Sequence, residues 1–341
     1  MRFLTKPRWI AFRRWLHSLL LIGVAFWWAI CDMQGSAGNV SFFWLPIVVV
    51  GLIHSTCYSL DRTMLERRWT IIDLLRLACW RTVSPTVALL CVAEGFEEIY
   101  RLQLTGALWL VAAAILALLG TIRLRIAEGM KFQEVKSGAA YKRAFVIAKN
   151  MGANLKRVYV VPAGRGHLTN AFGMRHGIAL TDNYGKFLGG TELDFIIGHE
   201  LGHVMEQHAS SKLVTVPCFY ICAACVCLFA SRTSATLRPF VDFSLILGPV
   251  LAFYYWSRRH EYAADRAAVE FTRDPETGIR ALASLYRVTQ APTDSNGLTE
   301  LFMTHPSFRH RAQAIALVGK MPHEHLDCLV RDLVSEGRIV D

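Results

Sequence analysis

Charge is what this 341-residue chain has least of: 19% of its residues are Asp, Glu, Lys or Arg, against 53% hydrophobic ones. Soluble domains carry about 25% charged residues, so the deficit excludes a disordered, collagen-like or coiled-coil chain and points to membrane-embedded segments. A disulfide framework is absent too. The nine cysteines are odd in number, and Cys218, Cys222, Cys225 and Cys227 share one apolar run, which fits a reduced, cytosol-facing protein. There is no internal repeat and no low-complexity tract. The basic surplus, 37 Lys+Arg over 27 Asp+Glu, collects at the ends of apolar segments, where it meets anionic headgroups rather than nucleic acid.

What is present begins with a basic leader holding Arg2, Lys6, Arg8, Arg13 and Arg14, followed by an apolar run at 15–31 with no small-residue cleavage site after it. A second run, 40–60, follows the uncharged turn at 35–39 and precedes Arg62, Arg67, Arg68, Arg76 and Arg81. Basic flanks on one side make these a hairpin with both ends in the cytoplasm. The run at 104–122 ends in Arg123, Arg125 and Lys131, so its end also faces the cytoplasm. Parity then asks the short, Pro85-containing segment 82–94 to cross as well. Residues 1–128 thus read as a membrane region and 129–341 as a folded domain, itself interrupted by a second hairpin at 213–230 and 240–256. Within that domain the spacing predicts an amphipathic helix over 132–150 and short strands at 155–161 and 177–181, an α+β arrangement.

The chemistry lies on one helix. Thr191 reads as its N-cap with Asp194 in a capping-box position, and the helix runs on through Gly198-His199-Glu200-Leu201-Gly202-His203. His199 and His203, at i and i+4, leave the same face and suit one zinc ion. Glu200, beside the first of them, is placed to accept a proton from an attacking water. The plain alternative is a surface helix with two histidines, but burying these groups on so apolar a helix is costly without a metal. A catalytic zinc needs a third protein ligand. After the second hairpin comes Arg258-Arg259-His260-Glu261-Tyr262-Ala263-Ala264-Asp265-Arg266, where Glu261 can complete the site and Asp265, one turn on, can orient a ligand histidine; His260 is the rival ligand. A solvated, ion-paired juxtamembrane helix is the alternative for this segment.

Over roughly residues 131–319 the chain resembles the HtpX-like integral-membrane zinc metallopeptidases, relatives of the CAAX prenyl endopeptidases and of the mitochondrial quality-control peptidase OMA. The motifs behind the resemblance stand in the family's order: Asn170-Ala171-Phe172, the zinc helix, Glu261-Tyr262-Ala263-Ala264-Asp265, and His305-Pro306 followed by Arg311. The resemblance implies a multi-pass α-helical membrane protein whose α+β zincin domain, of gluzincin type, is interrupted by a transmembrane hairpin. It implies one zinc per chain on His199, His203 and Glu261, Glu200 as general base and Asp265 as partner of a ligand. It further implies an edge strand at 170–173 that pairs with substrate through Asn170, Ala171 and Phe172, and a role for His305 and Arg311 in stabilising the oxyanion or bracing the ligand helices. The apolar segments between 82 and 122 depart from the two leading spans usual in the family.

The expected activity is zinc-dependent endopeptidase cleavage of membrane proteins or their cytoplasmic loops, in protein quality control, at a bacterial cytoplasmic membrane with the site on the cytoplasmic side. The expected partners are those substrates and the lipid bilayer, with no nucleic acid. The rivals are a dedicated processing protease of one peptide or lipidated partner, and a zinc-binding scaffold without turnover. Cys222, Cys225 and Cys227 read as packing or lipid-facing residues, 165–167 as a loop, and His208 as solvent-facing.

Overall fold

The computed structural model describes residues 40–64, 70–79, 84–119, 132–162, 170–174, 176–184, 188–206, 238–289, 293–295 and 297–337, with isolated residues between 9 and 30 and between 221 and 226. It forms two units: one of Met1–Phe12, Lys131–Ser210 and Tyr254–Asp341, the other of Arg13–Met130 and Ser211–Phe253.

The second unit is helical: α1 (Val40–Met64), α2 (Ile71–Ala78), α3 (Ser84–Tyr100), α4 (Thr105–Leu118) and the first part of α7 (Arg238–Thr272). Helices α3 and α4 form a tight hairpin. A Cβ on Gly106 would stand 2.6 Å from the Gly95 carbonyl oxygen, so only a glycine pair lets these backbones approach so closely. At the turn, Arg101 pairs with Glu97 at 2.9 Å and the Thr105 hydroxyl donates to Glu98 at 2.5 Å, which keeps the charges at the hairpin's end. Leu90, Cys91, Phe96, Leu110 and Ala113 fill the core between the helices. The described parts of the expected spans at 40–60, 82–94, 104–122 and 240–256 thus fall largely on helices, while 15–31 is described only at scattered helical residues and 213–230 lies mostly outside the described residues. Among the described residues no helix is long and apolar enough to cross a membrane; α3 and α4, of 17 and 14 residues, fall short of the roughly 20 that a span needs.

The first unit is α+β. Its sheet runs β1 (Gln133–Val135), β2 (Arg157–Val161), β4 (Gly177–Thr181), β3 (Ala171–Met174), with β2 and β4 parallel and the other pairs antiparallel. β4 is buried throughout, as the central position demands, and β1 and β3 are the edge strands of the described sheet. The single helix expected over 132–150 is in fact β1 followed by α5 (Ala139–Met151). Gly138, at φ 102°, breaks the run, and residues 133–135 pair with β2 instead. The expected strand from 155 likewise starts at Arg157. Against one face of this sheet lies α6 (Gly190–Met205), packed by α5 and by α8 (Pro275–Thr289), with α10 (Phe308–Val318) packed in turn on α8, in one core of Ile147, Phe195, Ile197, Leu201, Ile279, Leu282, Phe308 and Ile315. Helices α9 (Gly297–Glu300) and α11 (His323–Ser335) complete the unit.

Candidate metal centre

The start of α6 differs from the sequence reading. Gly189, not Thr191, is the N-cap, and Glu192 accepts a hydrogen bond from the Gly189 N–H at 3.0 Å. Asp194 is thereby freed from capping and holds Arg143 of α5, one N–H···O bond measuring 2.8 Å. From there α6 drives into the interior, and His199 and Glu200 are both buried.

Helices α6 and α7 cross on small residues. Gly198 faces Ala268, and a Cβ on Gly202 would stand 2.9 Å from the Ala264 Cα. Glycine one turn apart on one helix and alanine one turn apart on the other let the backbones touch, and this delivers Glu261 to the histidines. Its Oε1 lies 3.4 Å from His203 Nε2 and its Oε2 3.6 Å from His199 Nε2, and one donor atom from each residue falls within 4.8 Å of the others. Two imidazole nitrogens and a carboxylate oxygen from a convergent, buried set match the donors of a catalytic zinc. His260, the rival, is not in this group.

Behind the donors stands a second layer of charge. The Asp265 Oδ1 accepts from His199 Nδ1–H at 2.9 Å. That carboxylate can only accept, so the proton sits on Nδ1 and Nε2 is left as the ligand atom. Arg311 donates two bonds to Asp265, Nε to Oδ2 at 2.8 Å and Nη2 to Oδ1 at 2.6 Å, and its Nη1 lies 3.4 Å from Glu261 Oε2. Asp265 and Arg311 are 1% and 4% exposed. Burial alone would raise the Asp265 pKa, but the adjacent guanidinium and the His199 bond hold it below the usual carboxylate range. Burial likewise opposes ionisation of Glu261, yet His305, His203 and Arg311 draw it well below its ordinary value. Arg311 is held well above the usual guanidinium range by Asp265 and Glu261, against its own desolvation.

His305 also reaches Glu261, its Nδ1 2.9 Å from Oε2, and unlike Arg311 it is open to solvent. Asn170, Ala171 and Phe172 lie at the sheet edge. The Asn170 Oδ1 accepts from the Ala171 N–H at 3.0 Å, and the Asn170 N–H donates to Thr181 Oγ1 at 3.1 Å, which pins the start of β3. Phe172 turns to the sheet face where Phe132 bridges it to Tyr159, at ring separations of 6.4 and 6.0 Å. On the other face, a Cβ on Gly173 would stand 2.9 Å from the Glu200 carbonyl oxygen and 3.5 Å from Glu200 Oε2. The general-base candidate therefore lies directly against the edge strand.

Peptidase family M48 matches residues 141–317, just over half of the chain. The chain belongs to this family. The M48 match takes in the edge strand, both metal helices, His305 and Arg311. Among similar proteins, the protease HtpX homolog of Streptococcus uberis is 26% identical over 202 residues, covering 47% of this chain and 67% of the relative. That of Lactobacillus helveticus is 28% identical over 201 residues with the same coverage. The crystal structure of S. mikatae Ste24p aligns with a TM-score of 0.49 at 17% identity, over 85% of this chain and 80% of that one. The chain is an HtpX-like M48 metallopeptidase.

The M48 site also contains parts that the sequence reading passed over. Arg258 donates from Nη1 to the carbonyls of Glu300, Leu301 and Met303 at 2.7, 3.1 and 3.1 Å. Glu300 in turn accepts from the Ser307 N–H at 2.9 Å and pairs with His310 at 2.6 Å, while the Tyr286 hydroxyl donates to the Pro306 carbonyl at 2.5 Å. These bonds hold the segment that presents His305 to Glu261. Arg258 was visible only as one of two arginines before the second motif, and nothing in the spacing marked it. Residues 165–167 and His208 lie outside the described residues; Cys222 and Cys225 are exposed free thiols.

Proposed function

We propose that the chain is a zinc-dependent endopeptidase that cleaves membrane proteins or their cytoplasmic loops, in protein quality control. The observation that carries the peptidase reading is the meeting, in one buried cluster, of His199, His203 and Glu261 with the Glu200 carboxylate set beside β3, an edge strand among the described residues. Zinc on the three donors supplies Lewis acidity to a scissile carbonyl and acidifies water there. Glu200 accepts a proton from the attacking water on its carboxylate and passes it to the leaving amine nitrogen. An extended substrate pairs through its backbone with β3 at Asn170, Ala171 and Phe172, which brings its scissile bond over Glu200. Asp265, held by Arg311, fixes the ring of His199, and His305 faces the open side, where it can donate to the developing oxyanion.

Support for the membrane setting comes from the other unit. Leu52, Leu108 and Val111 are large apolar residues standing exposed on its helices, and Leu104 on the turn before α4, an arrangement that water disfavours and lipid accepts. The basic flanks of the apolar runs support a site on the cytoplasmic side, and the reading takes the membrane to be a bacterial inner membrane. The test uses the full chain in detergent with zinc. An unfolded reporter fused to a transmembrane segment is offered beside the same reporter without the segment. Cleavage of the fused form, abolished by a chelator and restored by zinc, is the expected result. Zinc-dependent cleavage of the untethered form alone sinks the membrane-substrate reading, and cleavage of neither by zinc-loaded protein favours the processing enzyme or the scaffold.

A further inference from the structure

We propose that α2 is an interfacial helix that lies flat in the headgroup layer of an anionic membrane, with its apolar face in the acyl boundary. The inference rests on the membrane reading above and adds the surface that meets the lipid. α2 has eight residues, about 12 Å of helix, and cannot cross a hydrocarbon core of about 30 Å. Yet Ile71, Ile72 and Leu75 are 70%, 61% and 60% exposed. At 100° per residue these three and the exposed Cys79 share one face within a single quadrant or so, while Asp73 points away from it and Arg76 lies at its margin.

The ends of the helix are polar. The Thr70 N–H and hydroxyl donate to Asp73 Oδ2 at 2.8 and 2.7 Å, and the Asp73 N–H returns a bond of 3.3 Å to Thr70 Oγ1. A helix start that meets its own hydrogen-bond needs, with a half-buried carboxylate in its cap, belongs at a water-facing depth and not in hydrocarbon. The flanking sequence is close to symmetrical: Arg67, Arg68 and Trp69 precede α2, and Trp80 and Arg81 follow it. Tryptophan favours the headgroup level and arginine favours anionic lipid. Between 62 and 81 there are five arginines against two acids, Glu66 and Asp73, so the charge of this stretch complements phosphatidylglycerol and not a basic partner. An apolar face, a capped polar start, and a Trp and Arg at each end are the features of a segment that lies in the membrane plane.

The full chain, as wild type and as Leu75→Trp, is reconstituted into phosphatidylcholine vesicles with and without phosphatidylglycerol. Flotation of wild type comes first; protein that does not float with either vesicle overturns the membrane reading and this inference together. With flotation, the fluorescence added by Leu75→Trp is compared in lipids brominated near the glycerol end and near the terminus of the acyl chain. The inference expects blue-shifted added emission, quenched roughly two-fold or more better by the shallow bromines, with stronger quenching when phosphatidylglycerol is present. Water-like, unquenched emission overturns it, as does preferential quenching by the deep bromines. Blue-shifted emission that no bromine reaches, and that grows with protein density, assigns the face to a second copy and also overturns it. If Leu75→Trp fails to incorporate, Ile72→Trp on the same face gives the same reading.

Discussion

Gly202 and Ala264 leave no room for a side chain between them: a Cβ on Gly202 would stand 2.9 Å from the Ala264 Cα and 3.3 Å from its Cβ. This contact is backbone against backbone, so it sets how far Glu261, one turn before Ala264, stands from His199 and His203. Gly202→Ala should therefore force α6 and α7 apart, cost about 1–3 kcal/mol, and weaken zinc binding although every ligand is intact. Calorimetric zinc titration beside thermal unfolding measures both. Ala264→Gly, which trims the opposing methyl, should recover part of the loss in the double variant; strict additivity of the two changes would contradict the account.

Arg311 is the only guanidinium bonded to Asp265 among the described residues, and Asp265 is as buried as the core apolar side chains. Arg311→Met should leave that carboxylate unpaired, destabilise the fold by about 3–5 kcal/mol and lower zinc affinity about 10- to 100-fold through the loosened His199. Arg311→Lys should recover little, because one ammonium cannot supply two parallel N–H groups. Zinc content after dialysis against a weak chelator distinguishes these outcomes. A fully zinc-loaded, stable Arg311→Met protein would show that the brace is dispensable.

Arg258 touches no donor of the metal cluster; it holds the carbonyls of residues 300, 301 and 303, which lead to His305. Arg258→Ala should retain zinc at wild-type affinity, lower kcat roughly 10- to 100-fold with KM nearly unchanged, and make the 297–303 segment more open to limited proteolysis. His305→Ala made on top of it should add little to the loss in kcat. Full additivity of the two would mean that Arg258 acts elsewhere.

Much of the site was legible because its chemistry is local. His199, Glu200 and His203 sit within five residues of one helix, and Glu261 and Asp265 one turn apart on another, so spacing groups each set, while the choice of Glu261 over His260 came with the family resemblance. What spacing could not show was the depth at which Arg311 is buried, or that His305 and Arg311 both reach Glu261 Oε2, because these depend on the packing of α8 and α10. The helix start at Gly189 was misplaced by two residues because Glu192 and Asp194 both suit a capping box, and only the presence of Arg143 decides which one is free. The strand at 133–135 was hidden because Phe132 and Val135, three apart, follow the helical period and Gln133 and Glu134 between them show no alternation, and the turn at Gly138 became visible only with its positive φ. The small-residue crossing could have been read: Gly198 and Gly202 repeat at the same interval as Ala264 and Ala268.

The central claim is that Glu200 moves the proton while His199, His203 and Glu261 hold the metal, and one side-by-side comparison tests it most directly. Zinc content and reporter cleavage are measured on wild type, Glu200→Gln and Glu261→Gln, purified in detergent under the same conditions. The account predicts one zinc and cleavage for wild type, one zinc and a loss of at least about a hundred-fold in kcat for Glu200→Gln, and loss of both for Glu261→Gln. Undiminished cleavage by a zinc-loaded Glu200→Gln protein, or full zinc retention by Glu261→Gln, would contradict it.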